Sequence, residues 1–413
     1  MNNDDLIVGL DIGSTKVCAV IGEINEQGKL EITGVGISPS TGLKKGVVVN
    51  IEATLRSVVS AIEEAEMMSG REVKSCWTGI GGSHIEGISS RGVVAVTGRN
   101  NGNREITKDD IERVMEAARA VVIPMDRQIL EVIPQNYIVD DQRGIRDPLD
   151  MIGVRLEAEV HIITCSGTGA QNIAKCVQRA RFTVNDLILQ SLAAAQAVLT
   201  PDERELGVVL IDLGGGTTDI LVYSEGAPYT TATIAAGGTQ VTNDISILKN
   251  ISYDMAEKIK LDAGCCWEPF LEGDDDIIVP GVGGRSPLAI PKSNILEIIK
   301  PRMEEIFKMV REKLEKLSLP RPLGGGVVIT GGGAQLLGAA DLASHIFNLP
   351  VRVGSPLPVG GLVEEYRNPA FSTAVGLVLT AYERERLHII PGPESRPESF
   401  IGRLISWFRT EFF

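Results

Sequence analysis

The chain has 413 residues, 43% of them hydrophobic and 23% charged, with a formal net charge of −14. That length predicts two or more domains, and the composition is that of a folded globular chain. The acidity excludes nucleic acid, whose phosphates need clustered Lys and Arg, and four His with six Cys that form no CxxC pair exclude a zinc site.

The first signal in chain order is "LIVGLDIGSTKVCAVIGEI". An apolar strand runs into Asp11, Gly13, Ser14, Thr15 and Lys16, and a second apolar strand follows. Strand, Gly-containing tight turn, strand predicts a β-hairpin. Gly13 lets backbone N–H groups approach an anion, Ser14 and Thr15 add hydroxyl donors, and Lys16 adds a charge suited to phosphate.

From about His84 to His161 the pattern predicts a small α+β unit. "RGVVAVTG", "RQILEVIPQNYIVD" and "VRLEAEVHIITC" read as strands. "TKDDIERVMEAARAVV" reads as a helix, with Thr107 as N-cap and Asp110 in a capping-box position. Ile111, Val114, Met115 and Ala118 form its apolar stripe. Next comes a helix in "LILQSLAAAQAVL". There Gln190 either orients an attacking water or is a buried, satisfied amide.

"GVVLIDLGGGTTDILVYSE" then repeats the first hairpin, with Asp212 in the place of Asp11. Its turn supplies Gly214, Gly215, Gly216, Thr217 and Thr218. Recurrence at half the chain length predicts two homologous halves facing each other. Asp11 and Asp212 would then converge beside a polyphosphate, where Mg²⁺ is held through its retained waters. "IAAGGTQVTNDISI" places Gly237 and Gly238 ahead of a helix starting near Thr239, another phosphate-facing arrangement. "YDMAEKIKLDAG" sets Glu257 and Lys258 on a short helix, where spacing alone favours a solvated face. Residues Asn294–Leu317 predict an amphipathic helix packed on the second half, with a coiled-coil arm as the alternative. The acidic "EGDDDI" before it reads as a solvated loop. "GGGVVITGGGAQLLGAADLASHI" gives a strand, Val327–Thr330, running into Gly331, Gly332, Gly333 and Gln335 and then a helix. Strand, glycines, helix aims backbone donors at an anion or a nucleotide edge.

The ordered set resembles the actin, sugar-kinase and DnaK-type ATPase superfamily, and within it the FtsA family of bacterial actin-like cell-division proteins. The resemblance runs from Leu6 to Tyr382 and rests on "GLDIGSTKVCAVIGE", "ATIAAGGTQVTNDI", "AEKIK", "GIRDPLDMIGVRLEAEVH" and "NPAFSTAVGL". It implies an α/β, actin-like two-lobed ATPase with duplicated RNase H-like halves and an inserted small α+β subdomain. The expected first half is 1–83 with 162–203 and 360–388, and the insert is 84–161. The second half is 204–241 with 295–359, and its small subdomain is 242–294. The resemblance also implies that Glu257 and Lys258 contact the nucleoside of bound ATP, and that any hydrolysis is slow. It implies the tubulin-like FtsZ as a partner through about 242–294, and self-association or later division proteins through the insert. Other readings are an ATPase or kinase of the same superfamily, or an actin-like component of a pilus or microcompartment machine. A DnaK-like chaperone is excluded because only about thirty residues follow the ATPase pattern.

Those residues are a Pro-rich stretch, 389–399, expected to be a flexible tether, and then "FIGRLISWFRTEFF". At 100° per residue, Phe400, Ile401, Leu404, Ile405, Trp407, Phe408 and Phe412 share one arc, with Arg403 and Arg409 on the other side. That is the pattern of an interfacial amphipathic helix. The alternative is a helix docked in a groove of the protein itself or of a neighbour. The resemblance implies a membrane-targeting helix on the cytoplasmic face of the cell membrane. Its two cations predict weak reliance on anionic over neutral lipid, with polymerisation supplying avidity. The acidic start, MNNDDL, lacks the basic flank of a secretion signal. The longest uncharged run, Pro322–Ala340, carries seven glycines in 19 residues and does not suit a bilayer.

Overall fold

The structure is a computed structural model that describes residues 6–96, 104–271, 273–279, 287–317, 319 and 321–389. The amphipathic segment 400–413 and the tether beyond Ile389 lie outside the described residues, as do Thr97 and Gly98 of the first insert strand and Glu272 of the acidic loop. No helix among the described residues is long and apolar enough to cross a membrane.

Strands β1 (Leu6–Ile12) and β2 (Lys16–Ile24) are nearly continuous apolar runs, buried on both faces, as a sheet sandwiched between helices requires. They form the expected antiparallel hairpin, with Asp11 opposite Cys18, and β3 (Leu30–Pro39) extends the meander. Helix α1 (Ile51–Ser69) starts at Asn50, whose side chain accepts from the Ala53 N–H, and stops at the left-handed Gly70. It buries Val58, Ala61, Ile62 and Ala65 against the sheet. Strand β4 (Ser75–Ile80) then runs parallel beside β1.

The insert follows as β5 (Glu86–Ala95), α2 (Lys108–Arg119), β6 (Arg127–Val139), β7 (Gln142–Ile145) and β8 (Arg155–Ser166). Its sheet order is β7-β6-β8-β5, with Val114 and Ala118 of α2 sharing an apolar cluster with Leu156, Ala158 and Val160 of β8. Thr107 N and Oγ1 both donate to Asp110 Oδ2, at 3.0 and 2.7 Å, so the capping position is as expected. Arg104 and Arg113 also donate to this buried carboxylate. Together they hold Asp110 well below the usual carboxylate range.

Helix α3 (Gly167–Arg179), β9 (Thr183–Leu189) and α4 (Gln190–Val198) complete the first half, whose strand order is β9-β4-β1-β2-β3. The second half repeats it. The hairpin β10 (Val208–Leu213) and β11 (Thr218–Ser224) is extended by β12 (Ala227–Ile234), and β13 (Val327–Thr330) and β14 (Val351–Val353) run parallel to β10. The order β12-β11-β10-β13-β14 matches the first sheet position for position. Helices α5 (Gly238–Lys249), α6 (Tyr253–Ala263), α7 (Lys292–Glu315) and α8 (Ala339–Phe347) cover it around Phe307 and Met303. Helix α7 begins and ends two residues earlier than expected and carries Pro301 inside it, with a packed apolar face in place of a free coiled-coil seam.

Helix α9 (Ser372–Ile389) returns to the first half. One apolar cluster joins residues of both halves: Ile7, Val20 and Leu30 from the first, Val208, Leu210 and Val328 from the second, and Ala194, Val198, Val375 and Val378 from α4 and α9. The two halves therefore share a core at the base of the cleft between them.

Candidate functional site

The two hairpin turns close in the same way, Gly13 N donating to Lys16 O at 2.9 Å and Gly214 N to Thr217 O at 3.0 Å. They face each other so closely that a Cβ on Gly216 would lie 2.6 Å from Ser14 Oγ, and one on Gly215 would lie 2.8 Å from Thr15 Oγ1. A side chain at either position would have to displace the facing hydroxyl. The amides of Ser14, Thr15, Gly215 and Gly216 have no hydrogen-bond partner among the described residues. Four such donors at two apposed Gly-rich tips form an anion cradle.

Beneath the tips opens a cleft of about 710 Å³ between the halves. It is lined by Asp11, Gly13, Ser14, Thr15, Lys16, Gln190, Asp212, Gly214, Gly215, Gly216, Thr217, Gly238, Glu257, Gly331, Gly332, Gly333 and Gln335. Six segments of the chain thus bring these expected residues to one place. Val241, Leu261, Cys265, Phe270, Leu271 and Leu336 supply an apolar wall on the side of the second half.

Three expected residues are placed elsewhere. Thr218 is fully buried and its hydroxyl donates to Ala236 O at 2.8 Å, so it closes the turn from behind. Gly237 does not line the cleft; its N–H donates to Gln240 Oε1 at 2.8 Å. The next two amides of that helix start, Gly238 and Thr239, donate to Gly214 O and Gly215 O at 2.9 and 2.8 Å. The N-terminus of α5 therefore braces the second hairpin and does not present free donors to an anion. Lys258 is on the exposed side of α6. The lysine that enters the cleft is Lys260, whose Nζ donates to Glu257 Oε2 at 2.7 Å and to Thr242 Oγ1 at 3.0 Å.

The two aspartates are held by symmetry-related devices. Gln190, first residue of α4, donates from Nε2 to Asp11 Oδ1 at 2.7 Å. Thr373, second residue of α9, donates from Oγ1 to Asp212 Oδ2 at 3.0 Å. The Gln190 amide is therefore hydrogen-bonded while its side chain still lines the cleft. A third carboxylate, which sequence reasoning missed, is Asp219, directly across the hairpin from Asp212 and accepting from Thr233 and Thr217 at 2.6 and 3.2 Å. Its signal was a break in the repeat, because Cys18 occupies the matching place in the first hairpin. Burial pushes Asp11 up to about 6 and Asp219 up to about 7, with Asp212 raising both. Burial raises Asp212 as well, opposed by Thr373 and Lys16. The cation opposing this cluster, Lys16, donates to Ala370 O and lies 4.0 Å over the Phe371 ring.

Two buried carboxylates and the partly buried Asp219, with Lys16 as the cation opposing them, leave this end of the cleft short of positive charge, which a divalent cation corrects. Among the described residues no three His, Cys, Asp or Glu are arranged to hold a metal by themselves. That donor set fits Mg²⁺ held mainly through waters and phosphate oxygens.

The family model described as "Cell division protein FtsA" matches residues 209–376, and that of the "SHS2 domain inserted in FTSA" matches 82–164. Proteins named cell division protein FtsA align almost end to end. That of Borreliella burgdorferi is 45% identical, covering 99% of both chains. That of Pseudomonas aeruginosa is 46% identical, covering 92% of this chain and 90% of its own. That of Escherichia coli K12 is 39% identical, covering 98% of both. Among solved structures, the chain is similar to one of a PilM-PilN type IV pilus biogenesis complex, with a TM-score of 0.63 at 16% identity over 91% of this chain and 98% of the other. It is also similar to MreB5 of Spiroplasma citri bound to AMPPNP, with a TM-score of 0.57 at 15% identity over 94% and 99%. These two likenesses establish the actin-like fold.

Proposed function

Since the chain belongs to the FtsA family of cell-division proteins, we propose that it is an ATP-binding actin-like protein that polymerises on the inner face of the cytoplasmic membrane. There it tethers the tubulin-like FtsZ ring and recruits later division proteins. The observation that carries the reading is the cleft where both hairpins, the Gly331–Gly333 turn and the carboxylates of Asp11, Asp212 and Asp219 meet. Ser14, Thr15, Gly215 and Gly216 would cradle the phosphates, with Lys16 beside them. Asp11, Asp212 and Asp219 would hold the waters of Mg²⁺, whose charge supplies electrostatic stabilisation of the phosphates. Glu257 and Lys260 would grip the ribose, with Leu261 and Leu336 against the base. AMPPNP in MreB5 of Spiroplasma citri supports a nucleotide in a fold of this kind.

Gln190 is suited to orienting a water, yet its amide is held by Asp11. Turnover should therefore be slow, and nucleotide state would act on the opening of the cleft. FtsZ would be met through 242–294, and self-association or later division proteins through the insert. A pilus or microcompartment role is not favoured, because full-length relatives at 39–46% identity are cell-division proteins and the pilus likeness stands at 16%. The segment 400–413 supports a peripheral site on the cytoplasmic face of the membrane through its Trp and Phe face.

Flotation of the full chain and of one ending at Ser399 on liposomes, each with and without Mg-ATP, tests the reading. The full chain alone should float, and better with Mg-ATP. Equal flotation of the two would overturn it.

A further inference from the structure

Strands β1, β4 and β9 run parallel and all start at one edge of the first-half sheet. The β2–β3 turn is at that same edge, because Leu6 pairs with Glu23. Three exposed cations mark it: Lys29 just before β3, Lys74 just before β4, and Arg181 two residues before β9. Lys74 and Arg181 are close neighbours, since Thr183 N donates to Lys74 O at 2.9 Å. At about 4.8 Å per strand, the row spans roughly 20 Å.

Helix α9 ends across the same edge. Tyr382 donates to Gly28 O at 2.5 Å, and Arg384 pairs with Asp186 and Glu131 at 3.1 and 2.7 Å. Arg386, exposed, follows over the Tyr382 ring. The chain therefore leaves the body among these cations on its way to residue 400. Of the acids at this edge and at the end of α9, Glu23 is paired with Arg71, Glu31 and Glu383 accept from Asn25 and Gln196, Glu26 and Glu72 are exposed, and Glu385 is half-buried. Lys29, Lys74, Arg181 and Arg386 make no ion pair among the described residues. In a chain of 54 acidic and 40 basic residues, such a row stands out.

We propose that this sheet edge is a second membrane contact, setting Lys29, Lys74, Arg181 and Arg386 against anionic lipid headgroups while residues 400–413 insert. The proposal rests on the membrane reading above. Residues 390–399 extend at most about 35 Å, which keeps the edge within reach of the surface. Because Arg403 and Arg409 are the only cations of the inserting segment, the body would supply most of the preference for anionic lipid, and the edge would fix how the body faces the membrane.

The test uses the full chain on vesicles of phosphatidylcholine, alone or with about one-third phosphatidylglycerol. The triple variant Lys29→Glu, Lys74→Glu, Arg181→Glu is compared with Lys108→Glu, Lys249→Glu, Lys313→Glu, which carries the same change in net charge elsewhere. A chain ending at Ser399 is included, and unchanged melting temperatures confirm folding. The edge variant should bind the phosphatidylglycerol vesicles at least about tenfold more weakly than the control variant, and both should bind phosphatidylcholine alike. Equal loss in the two variants would overturn the second contact and leave the tail reading standing. If the chain ending at Ser399 binds like the full chain, the membrane reading itself fails.

Discussion

Asp219 carries the sharpest consequence at the level of single residues. It is a partly exposed carboxyl opposite Asp212, raised to about 7 from an ordinary 3.8 by desolvation and by its acidic neighbours. A carboxyl with a raised folded pKa holds its proton more tightly folded than unfolded. Its contribution to stability is therefore unpenalised below about 4, falls as pH rises from about 4 to about 7, and stays at its lowest above that. Asp219→Asn removes the charge while keeping an acceptor for Thr233. Without nucleotide, the melting temperature of the variant relative to wild type should climb across that window and then level off. Saturating Mg-ATP should flatten the climb, because a cation relieves the same burial penalty. A difference independent of pH in both conditions would show that Asp219 is ionised throughout and is not part of the charge-deficient cluster.

For helices and strands, what could be read in advance depended on how local the determinant was. The two hairpins, Val327–Thr330 and the Thr107–Asp110 cap are written in contiguous patterns of apolar runs, glycines and cap residues, and all stand where the pattern puts them. Lys260 was not legible in that way. Glu257 and Lys258 are adjacent in sequence, but residues one apart on a helix point about 100° away from each other, while residues three apart share a face. Which face of α6 meets the cleft is fixed by Ala256 and Ile259, buried in the apolar cluster that also holds Ile211, Ile220 and Ile299, a long-range fact. The phosphate-facing role expected of Gly237 and Gly238 was hidden for a similar reason, because the Gly238 amide is taken by Gly214 O of the distant second hairpin and the Gly237 amide by the Gln240 side chain. Lys260→Ala should weaken ATP binding by about tenfold, since it removes a charged donor from the Glu257–Thr242 cluster. Lys258→Ala, on the solvent side, should leave it within about twofold. Titration with a fluorescent ATP analogue distinguishes them, and the reverse order would place the nucleoside against the other face of α6.

Across the molecule, the duplicated halves make the carboxylates and the hinge parts of one device. Gln190 begins α4 and grips Asp11, while Thr373 begins α9 and grips Asp212. One helical turn further on, at Ala193 and Gly376, the same two helices meet beside the core shared by both halves, to which they contribute Ala194 and Val375. A Cβ added at Gly376 would fall on the Ala193 carbonyl, so the close crossing exists only because that residue is glycine. A charge change at the two aspartates would thus be delivered to the starts of two closely crossed helices, and we expect that crossing to be the pivot between the halves. Gly376→Ala must push the helices apart or distort one of them. Overpacking of this kind costs about 1–3 kcal/mol, and it should lower the melting temperature measurably. The more telling quantity is the compaction on adding Mg-ATP, read from the radius of gyration in solution scattering. A wild-type cleft that closes on nucleotide should contract, and the variant, with its helices held apart at the pivot, should contract less at saturating Mg-ATP. If the variant melts lower but contracts as fully as wild type, the crossing is only a packing contact. The halves would then pivot elsewhere, and the pairing of each aspartate with a helix start would serve the geometry of the metal site alone.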